Sequence, residues 1–110
     1  MNRVVVTGMG AVTPLGNDVD SFLTNLLNSK VGINKITKFD AEATGISVAG
    51  EVKDFDAMKR LDRKTAKRNA LFVNYALYSA HEAMEMAGLN EDNIKPEELG
   101  VISGITSLCA

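Results

Sequence analysis

Arg3-Val4-Val5-Val6-Thr7-Gly8-Met9-Gly10-Ala11-Val12-Thr13-Pro14-Leu15-Gly16 stands at the head of the chain and sets its architecture. The β-branched run Val4–Thr7, closed by Gly8, reads as a strand buried on both faces, the pattern of a parallel sheet. From Gly8 to Gly16 the chain is too rich in Gly and Pro for a regular element. Asp18 to Asn28 then has helical spacing, with Phe22, Leu23, Leu26 and Leu27 on one face. Residues 29–45 read as loop, and Ile46 to Val52 as a short strand around Gly50.

The longest element follows. Asp62 is placed to accept backbone N–H bonds as an N-cap, which is worth about 1 kcal/mol. From Arg63 onward, Ala66, Ala70, Val73, Ala76, Leu77, Ala80, Ala83, Met84 and Ala87 recur every three or four residues, and Gly88 supplies a left-handed stop. The spacing predicts one long helix over 63–87. Its stripe is mostly alanine, so it can approach a neighbour closely while each residue buries little area, at roughly 25 cal/mol per Å². Such a helix belongs inside a larger body. Residues 91–98 are a loop interrupted by Pro96, and Gly100-Val101-Ile102 begins another strand. Strand, helix, short strand, long helix and strand define an α/β fold. No repeat, low-complexity tract or linker divides residues 1–110, which read as one domain, and an incomplete one, because no helix follows the last strand.

Composition narrows the functional classes. Hydrophobic residues make up 45% and charged residues 24%, as in a globular domain and unlike a disordered chain. A net charge of −2 argues against a surface devoted to nucleic acid. No apolar run approaches the roughly 20 residues that cross a bilayer. The single cysteine, Cys109, has no partner for an internal disulfide, which fits a reducing, cytoplasmic setting.

Few residues are candidates for chemistry. Gly8-Met9-Gly10 after a strand suggests a dinucleotide fingerprint, but Thr13 and Pro14 stand where a small residue should open a helix. Glycines permitting a tight turn explain it better. His81, the only histidine, reads as a helix-boundary residue, and it builds neither a metal site nor a dyad with Cys109. Glu82 and Glu85 read as a solvated helix face. The informative cluster is Lys59, Arg60, Arg63, Lys64, Lys67 and Arg68, half of the chain's 12 basic residues. Arg63 and Lys64 fall in the first helical turn, where a cation faces the positive end of the macrodipole at a cost of roughly 0.3–1 kcal/mol. A cationic patch so placed on an acidic chain points to an anionic partner. Composition leaves open whether that partner is a protein, a phosphate or RNA.

Taken in order, several segments resemble the β-ketoacyl–acyl carrier protein synthases, the condensing enzymes of fatty-acid synthesis, and among them the type II group. They are residues 3–16, Phe22-Leu23-Thr24-Asn25-Leu26-Leu27 running into Ser29-Lys30-Val31-Gly32-Ile33, Phe39-Asp40, Ala49-Gly50-Glu51-Val52-Lys53-Asp54-Phe55 and Leu61-Asp62-Arg63-Lys64. The likeness extends over about residues 3 to 104. It implies a thiolase-like fold, in which two similar α/β halves form an αβαβα layered core, usually in a homodimer. It also implies decarboxylative condensation of an acyl-enzyme with malonyl–acyl carrier protein. No cofactor would be bound, the substrates being carried on the phosphopantetheine of the carrier protein. The family's catalytic cysteine and two histidines would fall beyond Ala110, so no residue of this chain is expected to be catalytic. The resemblance carries Arg63, Lys64, Lys67 and Arg68 over as the surface that receives the acidic carrier protein. Ile105 matches an acyl-pocket position only if Ser103-Gly104-Ile105 is set against the family's Gly-Ser/Thr-Gly-Ile/Met-Gly-Gly segment, which requires a deletion of two residues inside a strand.

Three functions follow from this reading. The chain is part of a condensing enzyme whose catalytic residues lie elsewhere, a docking module for the carrier protein, or an inactive truncation product. The isolated piece is expected to be poorly soluble, because an incomplete sheet exposes unpaired edges. The pattern does not separate fatty-acid from polyketide-type synthases.

Overall fold

The computed structural model describes residues 1–106. They fall into two compact units, one of Gly10–Asp56 and one joining Met1–Met9 to the chain from Ala57 onward.

The Gly10–Asp56 unit starts with a tight turn at Thr13-Pro14-Leu15-Gly16. The Thr13 and Gly16 main chains exchange hydrogen bonds of 2.9 and 3.2 Å, and Thr13 Oγ1 accepts from Leu15 N and Gly16 N. Helix α1, Val19–Leu27, follows, capped by Asp18, whose Oδ1 accepts from Ser21 N at 2.7 Å. Ser29, at φ 57°, turns the chain out of the helix. Strands β1, Ile33–Lys35, and β2, Val48–Gly50, pair antiparallel with Ile33 opposite Gly50 and Lys35 opposite Val48. The segment that reads as loop in the sequence thus supplies one strand of the hairpin. Between the strands, the Glu51 carboxylate accepts from Thr37 N, Thr37 Oγ1 and Lys38 N at 2.9–3.1 Å and ties the connection down. Leu23, Leu26 and Leu27 remain exposed, so the apolar face of α1 forms as expected but is not covered within this unit.

The second unit is built on α3, Leu71–Ala87, which ends at Gly88 with φ 71°. The single long helix expected over 63–87 is instead two. Helix α2 covers Arg63–Arg68, and Asn69 and Ala70 are extended, with ψ of 151° and 158°. The break persists because side chains satisfy the carbonyls it frees. Asn69 Nδ2 donates to Thr65 O at 3.1 Å and Asn74 Nδ2 to Ala66 O at 2.9 Å.

The buried face of α3 is not the alanine stripe. It is Asn74, Tyr78 and Glu82, four residues apart, while Ala76, Leu77, Ala80 and Met84 are exposed. Glu82 therefore departs from the solvated face expected of it, being only 8% exposed. Arg60 supplies positive charge nearby: its guanidinium lies 5.4 Å from the Tyr78 ring centroid and 2.8 Å from Glu85 Oε2. Burial works against the charge on Arg60, but Glu85, Tyr78 and Glu82 together outweigh it and raise its pKa. The small residues act at the other end of the helix. A Cβ placed on Gly8 would meet Ala83 O at 2.0 Å and Ala87 Cβ at 2.9 Å, so the N-terminal segment lies against α3 backbone to backbone.

Val4–Thr7 and Val101–Ile102 are without ladder bonds, and β1–β2 is the only sheet among the described residues. A parallel strand exists only through a hydrogen-bonded neighbour. The side chains of Val4 and Ile102 are correspondingly open to solvent.

Candidate functional site

Four cations project from α2. Asp62 starts the helix: its side chain accepts from Thr65 N at 3.2 Å and also from the Thr65 hydroxyl. Those two bonds hold the Asp62 carboxyl below its usual pKa. Arg63 and Lys64 occupy the first turn, and Lys67 and Arg68 the last, all four exposed. Among the described residues none of the four forms an ion pair. The six-residue length of α2 changes their electrostatics. Lys67 and Arg68 lie at the favourable C-terminal end of a short dipole, and only Arg63 and Lys64 oppose it. Arg60 leaves the cluster altogether, committed to Glu85 and Tyr78. Between Ala57 and Ala70 the single acid is Asp62, which is spent on its cap. A concentrated and uncompensated positive surface results.

A second feature lies along α3. Phe72, Val73, Ala76 and Leu77 line a cavity of about 380 Å³ together with Ser103–Ile105. Ligand pockets commonly span about 300–1,000 Å³. Val73, Ala76 and Leu77, expected to pack in a core, here form an apolar wall, and Ile105 stands across from it on the same cavity.

His81 is half exposed, with Nδ1 3.9 Å from Glu85 Oε2. Cys109 lies outside the described residues. Among the described residues no three His, Cys, Asp or Glu side chains converge on a metal position, and no helix is long and apolar enough to cross a membrane. Gly8 serves a close approach to α3, a packing role in place of the tight turn expected of it.

A family model for the β-ketoacyl synthase N-terminal domain matches residues 1–108. The chain belongs to this family. It is 43% identical over 102 residues to the 3-oxoacyl-[acyl-carrier-protein] synthase 2 of Synechocystis sp., covering 93% of this chain and 24% of that protein. Identity to the synthase 2 of Staphylococcus aureus is 41%, covering 93% of this chain and 25% of the relative. The chain thus spans about a quarter of the length of the curated relatives it matches. Among solved structures, the ishigamide ketosynthase/chain length factor superposes with a TM-score of 0.73 at 31% identity, over 82% of this chain and 22% of that one. The α/β architecture is accordingly that of the N-terminal part of a thiolase-like β-ketoacyl synthase.

Proposed function

We propose that these residues belong to a 3-oxoacyl–acyl carrier protein synthase that extends fatty acids by decarboxylative condensation, and that their own task is to dock the carrier protein. The observation that carries the docking role is the set Arg63, Lys64, Lys67 and Arg68, exposed, close together and without ion pairs among the described residues. An acyl carrier protein, which the relatives' names contain, is acidic and bears a phosphopantetheine arm, and both are anions such a surface attracts. The arm brings the substrate, so no bound cofactor is required. The cavity beside Phe72, Leu77 and Ile105 is apolar enough to take part of an acyl chain. Residues 1–110 act as one part of the synthase domain, which works as a cytoplasmic homodimer. The same patch would also serve a docking module without catalysis.

Carrier-protein affinity of the native protein, titrated before and after Lys64→Glu combined with Lys67→Glu, tests the docking role. Each lost charge contact should also flatten the salt dependence of binding. Unchanged affinity sinks the docking role. Condensing activity with malonyl–acyl carrier protein separates the synthase from the module.

A further inference from the structure

We propose that Asn74, assisted by Asn69, is a positioning residue for the cationic patch; this rests on the docking role of α2. Asn74 is 6% exposed, and its Nδ2 donates to Ala66 O, the carbonyl just before Lys67 and Arg68. Its Oδ1 is buried with no hydrogen-bond partner. A buried, unpaired amide oxygen costs stability, about 1–3 kcal/mol by general experience, so a core position that served only packing would favour an apolar residue. The half of the amide that is used reaches out of α3 to the last turn of α2. Asn69 Nδ2 makes the parallel bond to Thr65 O from the break itself. Between them the two amides satisfy two of the carbonyls that α2 would otherwise leave free. They also fix where α2 stops, and with it the place of Lys67 and Arg68 relative to α3.

A helix of six residues cannot hold this geometry unaided, since isolated helices shorter than about 12–15 residues are marginal in water. Besides its packing on residues 57–59, it is held by the Asp62 cap at one end and the asparagine amides at the other. The first fixes Arg63 and Lys64, the second Lys67 and Arg68. Losing Asn74 should therefore affect docking selectively through the second pair of cations.

The test uses Asn74→Leu in the native protein, which keeps the branched shape of the side chain, adds some bulk and helix propensity, and removes both the bond to Ala66 O and the orphaned oxygen. Thermal stability is expected to hold or rise, while affinity for acyl carrier protein falls about five-fold. A purely structural asparagine would show no such split. In a double-mutant cycle with Lys67→Glu the two penalties should be less than additive, because a displaced Lys67 has less to lose. Full additivity, or native affinity in Asn74→Leu, overturns the inference. If Asn74→Leu does not fold, Asn69→Ala carries the same expectation and the same refutation. Affinity lost in Lys64→Glu with Lys67→Glu but kept in Asn74→Leu refutes the positioning role alone. Affinity kept in both refutes the docking role as well.

Discussion

Replacing Gly8 by alanine is the sharpest test of how the N-terminal segment meets α3. The added methyl would lie 2.0 Å from Ala83 O and 2.9 Å from Ala87 Cβ, where ordinary contacts begin near 3.4 Å. The first neighbour is main chain inside a helix, so relief requires the segment and α3 to separate by about 1 Å or more, which also opens the packing around it. Overpacking of this kind costs about 1–3 kcal/mol and occasionally more; with a backbone oxygen as the obstacle, about 3 kcal/mol is expected. With a urea m value of about 2 kcal/mol per molar, the unfolding midpoint should fall by about 1.5 M. Ala87→Gly removes the milder contact and not the carbonyl, and by itself costs about 1 kcal/mol of helix propensity. Adding it to Gly8→Ala should therefore restore little. Equilibrium urea unfolding followed by far-ultraviolet circular dichroism reads all four corners of this cycle. A midpoint within about 0.3 M of the native one for Gly8→Ala would refute the backbone-to-backbone approach.

Ala70 sits at the N-cap of α3 in the right extended conformation but makes no side-chain cap bond. Ala70→Asp should stabilise the protein by about 1 kcal/mol in the same unfolding assay, and a loss of stability would contradict the cap geometry. Three hydrogen bonds from Thr37 and Lys38 outweigh the desolvation that pushes the Glu51 carboxyl upward, and hold it below its ordinary value of 4.5. A depressed carboxylate supports the loop above that ordinary value and ceases to as pH falls through its lower folded value. Amide exchange at Thr37 and Lys38 should therefore quicken, relative to the exposed loop, on acidification into that range, and Glu51→Gln should weaken the protection already at neutral pH. No difference between Glu51→Gln and the native protein at neutral pH would remove the carboxylate from this role.

Local signals were the legible ones. Asp62 caps its helix and Gly88 ends α3 in the left-handed conformation as expected, and the helix expected from Asp18 forms, with Asp18 as its cap. The ordered motifs identified the family, which the match over residues 1–108 bears out. What the sequence hid depends on partners distant along the chain. Ile33–Lys35 is short, exposed and half polar, and becomes a strand only because Val48–Gly50 returns beside it. Val4–Thr7 has strand composition, yet composition supplies no neighbour. The break at Asn69 and Ala70 interrupts an unbroken helical period, and only the amides of Asn69 and Asn74 mark it. Burial of Glu82 could have been suspected from the spacing of Asn74, Tyr78 and Glu82 together with an arginine at position 60, a polar stripe beside the alanine one. The cationic patch was visible as a cluster, but not that Arg60 would be withdrawn from it.

The division of one expected helix into α2 and α3 has a dynamic consequence. A continuous helix opens from its ends, and its first turns are stabilised by every turn behind them. Separated by an extended dipeptide, α2 has its own opening equilibrium, limited by one aspartate and two asparagine side chains rather than by the packing of α3. The surface that carries the four cations can therefore melt and reform while the scaffold beneath it stays closed. A partner that requires the ordered form would then add its binding free energy to the weakest cooperative unit of the chain, and slow the hydrogen exchange of α2 without changing that of α3.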